Sequence, residues 1–232
     1  MHVFLLSPAW CGGKRAAMLL NPAASFDYAV RLRAGTLSLG EAFAFMSGLY
    51  FRGKLAYGSR FGPATDGRDR TFVITPTQGL RSPASTVTIG QLREFATVDV
   101  DADDPRYRIP LEQDLVALDA SLEPGVRIVL LGSIATSKYV EALVDVVGAR
   151  LCFPPSFVGR GDMSRGGLLL RAARDGIELE YAPLDRTTIR HGARPPKLEP
   201  KTVTPVVTLR LDRPRRHAAQ ATRTRGSSRR PV

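Results

Sequence analysis

The amino-acid sequence predicts an α/β fold: a three-layer sandwich with a mostly parallel central sheet. Short apolar runs recur at 2–6, 71–75, 126–131 and 149–153, as strands buried on both faces require. Between them, large apolar side chains return every three or four residues, as on one face of a helix. The clearest unit is 126–153, where an apolar strand, a glycine-hydroxyl turn, a helical pattern and a second strand follow one another. At 232 residues and 44% hydrophobic content, the chain suits one domain with a sizeable core plus a tail.

Taken in order, 2–6 is a first strand stopped by Ser7-Pro8; no basic region precedes its apolar residues, so it fits a strand better than a secretion signal. Residues 7–15 turn from strand to helix and contain Gly12-Gly13-Lys14-Arg15. This is either an ordinary glycine turn or an anion cradle in which backbone N–H groups and Lys14 or Arg15 face a phosphate. The G-x-x-x-x-G-K-[ST] spacing of a nucleoside-triphosphate loop is absent. Phe26, Ala29, Val30 and Leu32 make 22–33 helical. A longer stripe over 39–61 is interrupted by Gly48, Gly53 and Gly58, giving two shorter helices or one kinked helix. Its cations Arg52, Lys54 and Arg60 read as the solvated face, although aromatics interleaved with cations can also stack on bases.

A polar connection, 62–70, leads to the strand 71–75 and the loop 76–80. There the Gln78 amide either holds its own loop or offers a donor and an acceptor to a base edge. A short helix is expected at 89–95 and an edge strand at 97–100. Asp99, Asp101, Asp103 and Asp104 form an acidic turn without the downstream Gly and Glu of a calcium loop, so no metal site is expected. Arg106 and Arg108 pair with these aspartates in the favoured reading. A helix at 111–122 reaches Pro124-Gly125 and feeds the strand 126–131. Thr136 or Ser137 then caps a helix, 139–147, that Gly148 ends. After the strand 149–153 comes a loop, 154–167, dense in glycine, charge and hydroxyl. Residues 167–174 are helical and 177–181 a strand. The expected organisation is an α/β domain at 1–182, a proline-rich segment and edge strand at 183–212 packed on it, the strand itself at 202–211, and a tail at 213–232.

Charge is unevenly placed. The net charge is +11, and 213–232 holds seven arginines and no acid, so 11 less 7 leaves +4 for the rest. The tail's composition cannot offset the entropy of ordering and reads as disordered. It is either a solubilising terminus or a source of nonspecific attraction to phosphate backbones. Cys11 and Cys152 are too few for a disulfide framework or a cysteine metal site, which fits a reducing, cytoplasmic setting. No apolar run approaches the roughly 20 residues that cross a bilayer, so no membrane partner is expected.

Ligand sites in open α/β sheets gather beyond the strand C-terminal ends. The three histidines, His2, His191 and His217, lie outside 126–171, which argues against Ser-His-Asp and histidine-metal mechanisms. What that stretch offers is Ser133, Lys138, Arg160, Asp162, Ser164 and Arg165. A carboxylate between two arginines suits an acid/base or electrostatic role, so Asp162 is the candidate catalytic residue. Arg160, Arg165 and Lys138 are the candidate phosphate clasp, with Ser164, Lys14, Ser133 and Gln78 binding or orienting substrate. Alternatively, Asp162 pairs with either arginine only to hold its loop.

Three segments carry a resemblance. Leu5-Leu6-Ser7-Pro8-Ala9 and Ser47-Gly48-Leu49-Tyr50 resemble segments of the peroxide-stress YaaA family. Thr75-Pro76-Thr77-Gln78-Gly79-Leu80, following a strand, resembles a wider set of bacterial domains with the uracil-DNA-glycosylase-like fold. The resemblance implies a three-layer α/β domain associated with DNA or nucleobase chemistry. The glycosylase water-activating and histidine-containing motifs are absent, so glycosylase activity is not implied.

The expected function is a nucleic-acid- or nucleotide-associated protein, leaning toward an enzyme, a hydrolase or transferase acting on a nucleoside, a nucleobase or its phosphate. The alternative is a noncatalytic nucleic-acid-binding module, or a component of a larger system that binds a protein partner. The sequence specifies no cofactor.

Overall fold

Six strands form one sheet in the order β3-β2-β1-β4-β5-β6 in the computed structural model, which describes residues 1–63, 70–135, 137–188, 191–196 and 198. The strands are β1 (His2–Leu6), β2 (Thr71–Ile74), β3 (Leu80–Arg81), β4 (Arg127–Leu131), β5 (Leu151–Phe153) and β6 (Ala182–Pro183). β2, β1, β4 and β5 run parallel, and the two-residue edge strands β3 and β6 are antiparallel. Eight α-helices are described: α1 (Lys14–Leu20), α2 (Asp27–Arg33), α3 (Leu39–Ser47), α4 (Leu49–Phe61), α5 (Ile89–Phe95), α6 (Pro105–Ser121), α7 (Ser137–Val147) and α8 (Asp162–Asp175).

The alternation of side chains along each strand builds two cores. Phe4, Leu6, Val129, Leu131 and Cys152 face one side, where α1 to α5 and α8 pack. Val3, Leu5, Ile128, Leu130, Leu151 and Phe153 face the other, against α6 and α7. This is the three-layer α/β arrangement expected from runs buried on both faces.

The stripe over 39–61 is two helices. Gly48 at φ +68 stops α3 and turns the chain into α4, a backbone conformation that disfavours any side chain. Ser38 and Glu41 close a capping box at the start of α3. Several expectations are corrected. Residues 97–100 form no strand; Val98 is instead a buried loop side chain. The loop 76–80 folds back at Gly79 into β3, with Thr75 Oγ donating to the Gly79 carbonyl at 2.9 Å. α6 begins at Pro105 because Asp104 caps it, accepting from the Arg106 N–H at 2.9 Å. Arg106 does pair with Asp104, at 2.6 Å, but Arg108 turns to Glu112 and Asp145. No strand covers 177–181; the last described strand is β6. α8 starts at Asp162, five residues earlier than expected. The expected strand at 202–211, the 213–232 tail and the cap residue Thr136 lie outside the described residues.

Candidate functional site

β1 and β4 are neighbours at the centre of the sheet, yet the chain leaves β1 toward the α1–α4 face and β4 toward the α7 face. Diverging exits open a crevice at the strand C-terminal ends, the topological switch point of such a sheet. Here the crevice is a cavity of about 700 Å³. Its lining includes Ser7 and the β1–α1 turn with Trp10, Lys14 and Arg15, Tyr50 and Lys54 of α4, and Ser133 after β4. Lys138 and Tyr139 of α7 and Asp162 of α8 complete it.

Lys54 is the main departure from the sequence reading. Expected on a solvated face, it is 1% exposed. Its Nζ donates to the Ser7 carbonyl at 2.6 Å and meets Ser7 Oγ at 2.9 Å. It also lies 4.4 Å from the Tyr50 ring centre and 4.9 Å from that of Phe51. The enclosure follows from α4 and α8, which touch backbone to backbone at Gly53 and Gly166 and shut out water on this side. Burial pulls the Lys54 pKa down to about 7; Asp162 acts in the opposite sense and Arg165 in the same sense.

The surrounding phenols are held neutral. Burial raises the Tyr50 pKa while Arg165 opposes it. Burial pushes Tyr139 up to about 12, with the Ser7 side chain opposing. Cys11, also in the lining, is pushed by burial to about 12 and keeps its proton.

At the mouth, Trp10 is 73% exposed. One side of its indole packs on the chain, since a Cβ on Gly12 would stand 3.1 Å and one on Gly13 3.2 Å from the ring. Lys138 Nζ lies 5.6 Å from the Tyr139 ring centre. Arg15 donates to the Phe45 carbonyl at 3.3 Å.

Of the residues singled out from sequence, Lys14, Ser133, Lys138 and Asp162 meet at this cavity. The others do not. Gln78 accepts from Gln91 Nε2 at 2.9 Å and donates to Glu94 at 3.3 Å, tying its loop to α5. Arg160 donates to the carbonyls of Ser156 and Pro196 and to Ser164 Oγ, at 2.9, 3.3 and 3.1 Å, so Arg160 and Ser164 serve each other and the loop. Arg165 is buried behind the wall, donating to the Phe157 carbonyl at 3.2 Å and reaching Asp162 at 3.5 Å. The expected clasp of Arg160, Arg165 and Lys138 is therefore corrected: only Lys138 faces the cavity. Asp162 is not held between two arginines but stands in the first turn of α8, mostly exposed; of the two expected arginines, Arg165 reaches it, at 3.5 Å, and Arg160 is bonded elsewhere. Among the described residues, no three His, Cys, Asp or Glu are placed to hold a metal ion, and no helix is long and apolar enough to cross a membrane.

No family model, curated protein or solved structure matches the chain.

Proposed function

We propose that the cavity between β1 and β4 binds a nucleotide. On this reading the protein is a cytoplasmic nucleic-acid- or nucleotide-associated enzyme acting on a nucleoside, a nucleobase or its phosphate. The observation that carries the reading is Trp10, an indole 73% exposed at the mouth of a basic hollow and backed on one side by two glycines. Its other face is a platform for a flat ring, and stacking of a base on an aromatic side chain contributes about 1–3 kcal/mol. Lys14, Arg15 and Lys138 supply positive charge for a phosphate. Asp162 of α8, also in the lining, can accept from a sugar hydroxyl or a ring N–H, and is the acid/base candidate among the exposed groups. A volume of about 700 Å³ falls within the usual range for small-molecule sites.

The resemblance to YaaA-family segments and uracil-DNA-glycosylase-like domains supports the same theme. Each of the three segments behind it contributes to the lining: Ser7, Pro8 and Ala9, then Ser47 and Tyr50, then Pro76.

The test is a thermal-shift screen of nucleobases, nucleosides and nucleotides against the wild type and Asp162→Asn. Nucleotides are expected to raise the melting temperature more than their nucleosides. Absence of any shift would overturn the reading, and unchanged binding and turnover in Asp162→Asn would remove Asp162 from it.

A further inference from the structure

Ser7 and Lys54 form a pair that nucleotide binding alone does not use. Ser7 Oγ and Lys54 Nζ are 2.9 Å apart, and both residues line the cavity. The second contact of Nζ, to the Ser7 carbonyl at 2.6 Å, fixes its direction. Nζ donates to both oxygens; once it has lost a proton, one N–H still donates to the carbonyl and the lone pair is placed to accept the hydroxyl proton of Ser7. Gly132, at the end of β4, keeps the space beside this hydroxyl open, since a Cβ there would lie 3.2 Å from Ser7 Oγ.

The groups around the amine and its serine come from four elements. Tyr50 and Phe51 flank it on α4, and Asp162 and Arg165 act on it from α8. Ser7 meets it from the end of β1, and Tyr139 of α7 lies beside Ser7. Burial outweighs the pull of Asp162, so the amine exchanges its proton near neutrality. A general base works best when its pKa lies close to the working pH.

We propose that Ser7 is a nucleophile, with Lys54 as its general base, and that it accepts the phosphoryl group of a phosphate monoester held in this cavity. The choice of a phosphorus electrophile rests on the phosphate-binding reading of Lys14, Arg15 and Lys138. In the first step the Oγ–P bond forms and the bond from phosphorus to the leaving oxygen breaks. The Ser7 proton passes to Lys54 Nζ and then to the departing alkoxide. In the second step water attacks phosphorus, the P–Oγ bond breaks, and a water proton returns through Lys54 to Ser7. The sum is phosphate monoester plus water giving alcohol plus inorganic phosphate, with no other reactant.

The test is labelling of the full chain with diisopropyl fluorophosphate, in which an Oγ–P bond forms as fluoride leaves, followed by peptide mass mapping. The expected result is one adduct, on Ser7, with a labelling rate that rises with pH to a plateau and has its midpoint near 7. Ser7→Ala removes the adduct, and Lys54→Arg, which keeps the charge but cannot serve as a base, slows labelling about 100-fold or more. Should either variant fail to fold by circular dichroism, the wild-type adduct site and pH curve decide alone. No adduct on Ser7, a rate that climbs without a plateau, or a folded Lys54→Arg that labels like the wild type would overturn the proposal. Labelling of Ser7 without nucleotide binding would sink the nucleotide reading instead.

Discussion

Gly53 of α4 and Gly166 of α8 meet with no side chain between them: a Cβ on Gly53 would stand 2.6 Å from the Gly166 carbonyl oxygen. The reverse holds as well, since a Cβ on Gly166 would stand 2.7 Å from the Leu49 carbonyl oxygen. This crossing brings Tyr50 and Lys54 against Asp162 and Arg165, so the floor of the cavity depends on it. Gly53→Ala gains about 1 kcal/mol of helix propensity but must push backbone away from backbone, at a cost of up to about 3 kcal/mol. The expected outcome is a net loss of up to about 2 kcal/mol in denaturant unfolding, together with a weakened nucleotide-induced thermal shift. A variant as stable as the wild type would show that the helices can separate freely.

Trp10→Ala separates binding from stability. An indole so exposed contributes little to the core. The melting temperature should barely move, while nucleotide affinity falls about tenfold or more, the value of one stacked base. Calorimetric titration checks this, and equal affinities would exclude Trp10 as the platform.

Glu41 gives a pH dependence with a definite sign. Its carboxylate receives Arg31 at 2.8 and 2.7 Å, and the Ser38 N–H and hydroxyl at 3.1 and 2.7 Å. The Arg31 hydrogen bonds, ahead of the partly opposing burial, hold its pKa down to about 2. The folded value lies below the unfolded one, so this stabilisation is present above the ordinary carboxylate range and fades as pH falls toward 2. Both partners are about one-third exposed, so solvent screening limits the effect. Glu41→Gln should cost about 1 kcal/mol at pH 7 and much less at pH 2.5, measured by urea unfolding.

Lys54 gives a dependence of the same sign at higher pH. Its folded pKa of about 7 lies below the ordinary 10.5, so between those values the unfolded chain binds more protons than the native one. Stability should therefore climb from pH 7 toward pH 10, by at most about 1.4 kcal/mol per pH unit. Below pH 7 both states are protonated and the dependence ends. The raised phenols Tyr50 and Tyr139 work the other way only above about pH 10, where unfolded tyrosine ionises. Relative to Lys54→Met, the wild type should gain at least about 1 kcal/mol between pH 7 and pH 9. Parallel curves for the two proteins would mean that Lys54 does not titrate in this range.

The basic tail bears on the module reading. Deleting 213–232, with its seven arginines, should weaken polynucleotide binding and flatten its salt dependence. Mononucleotide affinity should stay the same. Loss of mononucleotide binding as well would place the tail inside the site.

How far the sequence revealed this molecule depended on the distance over which each feature is encoded. Runs such as Val3-Phe4-Leu5-Leu6 are buried on both faces and announce their strands locally. The two-residue edge strands β3 and β6 carry no pattern of their own and exist only by pairing with β2 and β5. Lys14, Ser133, Lys138 and Asp162 were legible because they sit just past strand ends or at helix starts. Lys54 was not, because its burial comes from a helix crossing with residues more than a hundred positions away. One signal was present: Lys54 follows Tyr50 by four residues and precedes Tyr57 by three, which puts it on the apolar stripe. Arg160 and Arg165 were misplaced because hydrogen bonds to backbone carbonyls leave no trace in residue spacing.

The most direct measurement is a pair of calorimetric titrations, a nucleotide whose 5′ bridging oxygen is replaced by methylene so that Ser7 cannot cleave it, and the parent nucleoside, into the wild type and Lys138→Gln. The wild type should bind the nucleotide about tenfold or more tightly than the nucleoside, as one charge-assisted phosphate contact implies, and Lys138→Gln should narrow the gap. No heat from either ligand, or equal affinities for both, would contradict a nucleotide site between β1 and β4.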